Sequence, residues 1–384
     1  MKNAYFIADN IISSLGFNTA ENIAAIEKQI SGITLIYNVQ LSAQSFYGSQ
    51  VNSERLKNEF QKHADPNEFT RFEQFCIISI SDALKNSKID ITNRNTLLIL
   101  STTKGNIELL NENRLPEISR ERVFLWKTAE EIQNYFKLKN TPLVLSNACI
   151  SGVVAIITAA RLIEREKYKN VIVCGADILT KFVISGFQSF LALSSLPCKP
   201  FDKNRNGLNL GEGCGTVILS SEPNQCPVNN IVYCGGSISN DASHISGPSR
   251  TGEGLYLAMK KTAEQSRKKL KDEIGFISVH GTATPFNDEM EAIAFKKMGY
   301  SQIPLVGLKG YFGHTLGAAG VIETIAAMHS LKRGILHATV GFENSGVSVP
   351  INVISKTTEK EINSCLKVAS GFGGCNAAAI FAKI

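Results

Sequence analysis

Three reactive side chains stand in runs of very small residues: Cys149 in SNACISG, His280 in HGTATP and His314 in GHTLGAAG. A strand-like run at 143–145 precedes Cys149 and a helix-period run opens at Gly152, so the thiol sits at or just before a helix N-terminus. Unpaired amides and the helix dipole favour an anion there, which predicts a thiol held below its usual value of about 8.5 and nucleophilic at neutral pH. An isolated cysteine is more often inert and buried. The small neighbours Ala148, Ser151 and Gly152 leave room for a substrate and weigh toward chemistry. His280 closes an apolar run at 276–279 and is followed by Thr282, Thr284 and Pro285, placing it on the carboxyl rim of a sheet beside hydroxyls that can orient a bound group. His314 lies in a glycine-rich turn where a ligand can approach closely. Each histidine alone reads as a structural hydrogen-bonding group. Two of them with a helix-capped cysteine point to a site built on a thiolate.

Supporting groups lie nearby in sequence. Lys309 precedes His314 by five residues and Glu323 follows it by nine, so a buried lysine–glutamate pair can fix that histidine's orientation and protonation; solvated surface charges have the same spacing. The C-terminal SGFGGCNAA places a glycine-rich loop around Phe372, whose backbone amide can donate to an oxyanion.

These residues need strands and helices to hold them. Apolar runs bounded by Gly, Asn or Pro at 96–100, 143–145, 171–174, 216–219, 276–279, 305–306 and 368–369 read as strands. Helix-period segments at 71–85, 152–166, 254–271, 288–298 and 318–332 alternate with them, the mark of an α/β protein with mixed sheets. The polar segment SSEPNQCPVNN at 220–230 divides the chain into halves at 1–225 and 226–384. Each half holds a strand, a turn of small residues and a helix, LVLSNACISGVVAII in one and PLVGLKGYFGHTLGAAGVIETI in the other. That echo predicts a duplicated architecture.

Composition narrows the function classes. With 384 residues, 43% hydrophobic and 19% charged, the chain buries a sizeable core. Its net charge of +6 comes from 40 basic and 34 acidic residues scattered along the sequence, which argues against a nucleic-acid partner. Nine cysteines without a CxxC pair or Cys/His ligand spacing suggest neither a disulfide framework nor a metal site, and fit a reducing, cytoplasmic compartment. The N-terminal MKNAYFIADNIISSLG is broken by Asp9 and Asn10 and reads as a strand entering a turn. Residues 140–160 carry no charge, yet Ser146, Asn147, Ser151 and Gly152 in their middle argue for a buried strand, turn and helix, not a membrane span.

Seven blocks in order, TRFEQF, SNACISG, KPFDKNRNGLNLGEGCG, DASHISGP, HGTATPFNDEMEA, LKGYFGHTLGAAG and SGFGGCNAA, make the chain resemble the β-ketoacyl synthases that condense acyl groups on a carrier protein. The resemblance runs over essentially the whole length and favours the elongating type I/II group. It implies the thiolase-like fold, a duplicated α-β-α-β-α layering. By it, Cys149 takes the acyl chain from the carrier's phosphopantetheine as a thioester. His280 and His314 bind the carbonyl of a malonyl carrier and promote decarboxylation, and the carbanion attacks the acyl thioester while the amides of Cys149 and Phe372 hold the oxyanion. Lys309 and Glu323 match the family's supporting pair, and Thr282 and Thr284 match threonines along the pantetheine arm. No resident cofactor or metal is implied. The expected partners are an acyl carrier protein and a second copy of the chain, with a heterodimer of synthase-like subunits as the alternative.

Neighbouring families fit less well. Thiolases carry an asparagine-containing motif in place of HGTATP and a second catalytic cysteine, whereas Cys375 stands where synthases have Thr or Asn. Priming synthases have Asn in place of His314, and inactive chain-length-factor subunits lose the nucleophile. The chain departs from the family in SNACISG, in KNRNG, in HADPNE before the TRF block, and at Ser370, where many members have a gating phenylalanine beside the acyl site. The LSSLPCKPFD segment at 193–202 and the region between Ser101 and Pro142 are shorter than usual. These departures bear on the acyl substrate and on carrier docking.

Overall fold

The computed structural model describes residues 2–111, 118–223, 231–266, 270 and 273–384. The frame that carries the site is built twice. In the first half it runs β1 (Tyr5–Ile12), α1 (Arg71–Lys85), β2 (Thr96–Ser101), α2 (Leu125–Phe136), β3 (Leu143–Leu145), α3 (Ser151–Glu164), β4 (Asn170–Asp177), α4 (Lys181–Ser189) and β5 (Gly213–Ser220). In the second it runs β6 (Ile231–Asn240), α5 (Glu253–Ser266), β7 (Phe276–Ser278), α6 (Pro285–Lys297), β8 (Pro304–Val306), α7 (Ala319–Arg333), β9 (Ser364–Gly371) and β10 (Cys375–Lys383).

The lateral orders are β1-β5-β4-β2-β3 and β6-β10-β9-β7-β8, the same order twice. In each half the first two pairings are antiparallel and the last two parallel. The half-sheets join edge to edge where Tyr5 pairs with Val232, and with the short strand Asn352–Val353 beside β8 they make a mixed sheet of 11 strands among the described residues. The duplication expected from the two small-residue turns is thus a repeat of the whole topology. The proposed division at residue 225 falls between β5 and β6, on residues outside those described.

Five layers follow from which helix faces are apolar. α3 is buried on every side from Ser151 to Ile157, and α7 from Ala319 to Met328, so both occupy the centre, where each face meets protein. Their side chains form one cluster with inward residues of both half-sheets, such as Leu97, Val173, Cys365 and Phe381. The helices α1 and α2 cover the outer face of the first half-sheet, and α5 and α6 that of the second. A Cβ added at Gly152 would lie 2.7 Å from the Val321 amide nitrogen, and one at Gly320 would lie 2.5 Å from that of Val153. The central helices therefore touch backbone to backbone at equivalent glycines, which requires the missing side chains.

Most element boundaries agree with the sequence pattern. α1 spans 71–85 as read, and its start is fixed by a capping box between Thr70 and Glu73. The helix expected over 254–271 is observed to Ser266, and the remainder reaches residues outside the described set. β6 and β10 escape the β-rich pattern because Gly235, Gly236 and the run Ala377–Ala378–Ala379 lack branched side chains. Long-range folding also gathers Cys76, Cys174 and Cys214, whose sulfurs lie within 4.8 Å of one another in the outer core of the first half. Sequence spacing could not reveal that group, and its packing is that of small apolar side chains. Among the described residues, no helix is long and apolar enough to cross a membrane.

Candidate active site

Cys149 lies in the turn joining β3 to α3. Ala148 takes a left-handed φ of +45°, uncommon for a residue with a side chain. The Ser151 hydroxyl holds this turn, donating to the Ala148 carbonyl at 2.6 Å and accepting from the Asn147 amide at 2.7 Å. The cysteine thus sits two residues before the helix, where the sequence placed it. Its acidity is a correction. Burial pushes the thiol up to about 12, with Cys375 and Asp177 adding to the effect and the charge of Lys309 opposing it. The cysteine therefore rests as a thiol, because apolar enclosure outweighs the helix terminus.

His280 leaves the end of β7 on a turn shaped by left-handed Gly281 and Ala283. Glu291 of α6 accepts from the His280 and Gly281 amides at 2.8 and 2.6 Å, and Asp288 accepts from the Ala283 amide at 3.2 Å. Burial raises Glu291 to about 7, helped by the Asp288 charge, and raises Asp288 to about 6. His314 follows β8; its amide donates to the Asn209 carbonyl at 2.7 Å, and its Nδ1 accepts from the Leu316 amide at 3.3 Å.

A chain of charges lies beneath the histidines. Lys309 Nζ donates to Glu323 Oε1 at 2.7 Å and to the His280 carbonyl at 2.6 Å, and lies 3.3 Å from His280 Nδ1. The expected lysine–glutamate pair is formed, but it holds His280 instead of His314. The chain turns between β8 and α7 so that Lys309 and the Glu323 face of α7 point at β7. Lys367 of β9 completes the network, donating to Glu323 Oε2 at 2.6 Å and to the Val279 carbonyl at 3.0 Å. Although burial opposes it, the two lysines hold the Glu323 carboxyl below its ordinary value. Burial and the Lys309 charge hold both histidines well below 6.5, so both are neutral at pH 7. With each Nδ1 facing a donor, the ring proton is assigned to Nε2 in both.

The two rings stand 5.2 Å apart at 84° and share a cavity of about 350 Å³ with Cys149, Thr282, Ser370 and Phe372. Thr284 also lines it, its hydroxyl 2.9 Å from that of Thr282. Phe372 sits in the turn between β9 and β10. A Cβ added at Gly371 would lie 3.0 Å from the Cys149 amide nitrogen, so the glycine lets the two candidate oxyanion amides come together. The Phe372 ring stacks on Phe187 at 5.6 Å and meets Phe190 edge-on at 5.3 Å. Ser370 donates to Asn376 Oδ1 at 2.7 Å, which ties it to the neighbouring strand. Cys375 donates to the Phe372 carbonyl at 3.2 Å and braces the same turn.

The structure thus brings every sequence-derived site residue to one place, the supporting pair one layer below. Sequence reading missed Lys367, Glu291, Asp288 and Asp177. Lys367 could have been found as a charge inside an otherwise apolar run; the strand was read only from Val368 because of that charge. Asp177 accepts from Thr102, Thr103 and the Gly317 amide, joining the ends of β2 and β4 to the His314 turn. Its position after a buried strand was the only signal.

A thiol and two neutral histidines thus meet at the carboxyl ends of a duplicated mixed sheet. The sequence matches the beta-ketoacyl synthase N-terminal domain over residues 20–224 and the C-terminal domain over residues 231–343. The chain belongs to the beta-ketoacyl synthase family. It is 27% identical to the 3-oxoacyl-[acyl-carrier-protein] synthase 2 of Vibrio harveyi, with 85% of each chain covered. It is 29% identical to the tetracenomycin polyketide synthase ketoacyl synthase alpha subunit of Streptomyces glaucescens, over 62% of this chain and 59% of that one. Its fold superposes on a chain of the ketosynthase (ApeO) in complex with its chain length factor (ApeC) from Xenorhabdus doucetiae. That match has a TM-score of 0.84 at 23% identity, covering 100% of this chain and 98% of the other.

Proposed function

We propose that this protein is an elongating β-ketoacyl carrier-protein synthase, acting in fatty-acid or specialised polyene or polyketide synthesis. The observation that carries the reading is the shared cavity in which Cys149 faces two neutral histidines, each with Nδ1 engaged by the protein. In the first step the Cys149 sulfur attacks the carrier thioester. The acyl–sulfur bond moves to Cys149, and the thiol proton leaves on the carrier's phosphopantetheine sulfur. The exchange replaces one thioester by another, so its barrier lies in forming the sulfur nucleophile and the tetrahedral oxyanion, for which the Cys149 and Phe372 amides are placed.

In the second step a malonyl thioester occupies the cavity along Thr282 and Thr284. Loss of carbon dioxide leaves an enolate on the thioester oxygen, and the Nε2–H groups of His280 and His314 donate to that oxygen. Two neutral donors suit this charge, which exists only once the carboxylate has left. The enolate carbon attacks the acyl–Cys149 carbonyl, and collapse of the oxyanion releases 3-oxoacyl carrier and the cysteine sulfur, which regains a proton. No resident cofactor takes part.

Pairing is part of the reading. β3 lies at the outer edge of the first half-sheet with Leu143 41% exposed, and Phe124, Trp126, Phe182 and Leu191 are exposed as well. Such apolar surface supports a second copy or a related subunit there. The solved ketosynthase with its chain length factor makes the heterodimer the natural alternative. None of the eight described cysteines is in a disulfide, which supports a reducing cytoplasmic setting.

The test is incubation with an acyl carrier thioester followed by peptide mass analysis. The acyl mass is expected on the Cys149 peptide. An adduct on another cysteine, or none, overturns the assignment.

A further inference from the structure

A second cavity of about 230 Å³ reaches Cys149 but neither histidine. Phe187, Phe190 and Phe372 line both spaces, so these rings form the wall between them. Its remaining surface is largely apolar, from Phe182, Val183 and Leu316. Lys104 and Thr103 are the exceptions. Lys104 follows β2, and its backbone is anchored because its amide faces Thr102 Oγ1 at 3.3 Å. Its ammonium makes one long hydrogen bond, 3.4 Å to the Thr103 carbonyl, and pairs with no carboxylate among the described residues. It is half-buried. A cation set against phenylalanine walls, with donor capacity unused, gains from any ligand that brings an acceptor. Its charge is felt at the Cys149 thiol, which lines the same chamber.

We propose that this chamber selects acyl chains whose distal part carries an acceptor oxygen, a carboxylate or a hydroxyl, held by Lys104, in preference to plain alkyl chains. The inference rests on the synthase reading and names the substrate class of that site. A methyl end leaves the ammonium partly desolvated and unpaired, whereas an acceptor replaces the water it loses. The phenylalanine walls accept the chain between the thioester and that end.

The test uses pantetheine thioesters of equal carbon count ending in methyl, hydroxyl or carboxylate, with loading of the Cys149 peptide timed by mass analysis. Wild-type protein is expected to load the carboxylate-ended chain about tenfold faster than the methyl-ended one, with the hydroxyl-ended chain between, the worth of one charge-assisted hydrogen bond. Lys104→Met is expected to bring the carboxylate-to-methyl ratio to or below one, and Lys104→Arg, which keeps the charge, to retain most of the preference. Equal or faster loading of the methyl-ended chain by wild type, or an unchanged ratio in Lys104→Met, overturns the inference and leaves the synthase reading intact. Failure of all three thioesters to load Cys149 overturns both.

Discussion

The turn after β3 and the turn after β8 hold equivalent places in the two half-sheets, yet they are secured by opposite means. The first, which presents Cys149, is held by a neutral group, the Ser151 hydroxyl. The second, which presents His314, is held by an ionisable group, the buried Asp177 carboxyl that accepts from the Gly317 amide, and opens with Lys309, which joins Glu323 and Lys367 in the ionic chain under His280. The difference follows the chemistry each side performs. The nucleophile's own turn is tied by a hydroxyl, which takes no charge as the thiol gains and loses its proton. Histidines that must stay uncharged are served by nearby cations, which oppose a further positive charge. Duplication supplied two strand ends at one gap, and divergence of the turns divided the work.

The sharpest way to break this comparison is to disable one side and ask whether the other still functions. Cys149→Ala is expected to lower condensation by about a thousandfold or more while malonyl decarboxylation persists. His314→Ala is expected to lower decarboxylation by about a hundredfold or more while Cys149 still takes up acyl chain. Measuring both half-reactions on both variants is the check. Equal loss of both steps in either variant would mean that the two turns act as one unit.

The ionic chain offers a smaller effect, on stability. Glu323→Gln leaves Lys309 and Lys367 buried around a neutral amide, which should cost about 3–5 kcal/mol in a urea titration. Lys367→Met should cost clearly less, because the Lys309–Glu323 pair survives. Similar losses in the two variants would show that Lys367, not the glutamate, anchors the chain.

How much of this was legible depended on distance in sequence. Cys149, His280 and His314 sit in local runs whose small residues announce a site, and the glycines at 152 and 320 belong to the same runs. The duplicated topology needed long-range pairing to appear whole, because β6 and β10 are built from Gly and Ala. The partner of the Lys309–Glu323 pair was misassigned because the nearer histidine in sequence is not the nearer one in space. Lys367 lies 44 residues beyond Glu323, and the packing of α7 against β9 brings them together. Lys104 drew no notice because a lysine beside a turn reads as surface until its cavity is seen.

The acidity of Cys149 separates what its helix terminus would do from what its enclosure does, and a pH profile can weigh the two. Burial pushes the thiol up to about 12. At pH 7 the thiolate fraction is then roughly one part in 10⁵, and it grows about tenfold per unit because the working range lies far below the thiol's midpoint. Alkylation of Cys149 by iodoacetamide should therefore accelerate steadily from pH 6.5 to 9.5 without levelling, as the thiolate is the reacting species. The histidines add no step in this interval, since both are already neutral below it. If the amides at the start of α3 dominated instead, the rate would level off above about pH 7.5, the upper end of the range of helix-capped thiols. A plateau there would remove the contrast between the turns, since both would then be held by fixed charge and dipole. A continued rise would place the activation of Cys149 in the encounter with its thioester.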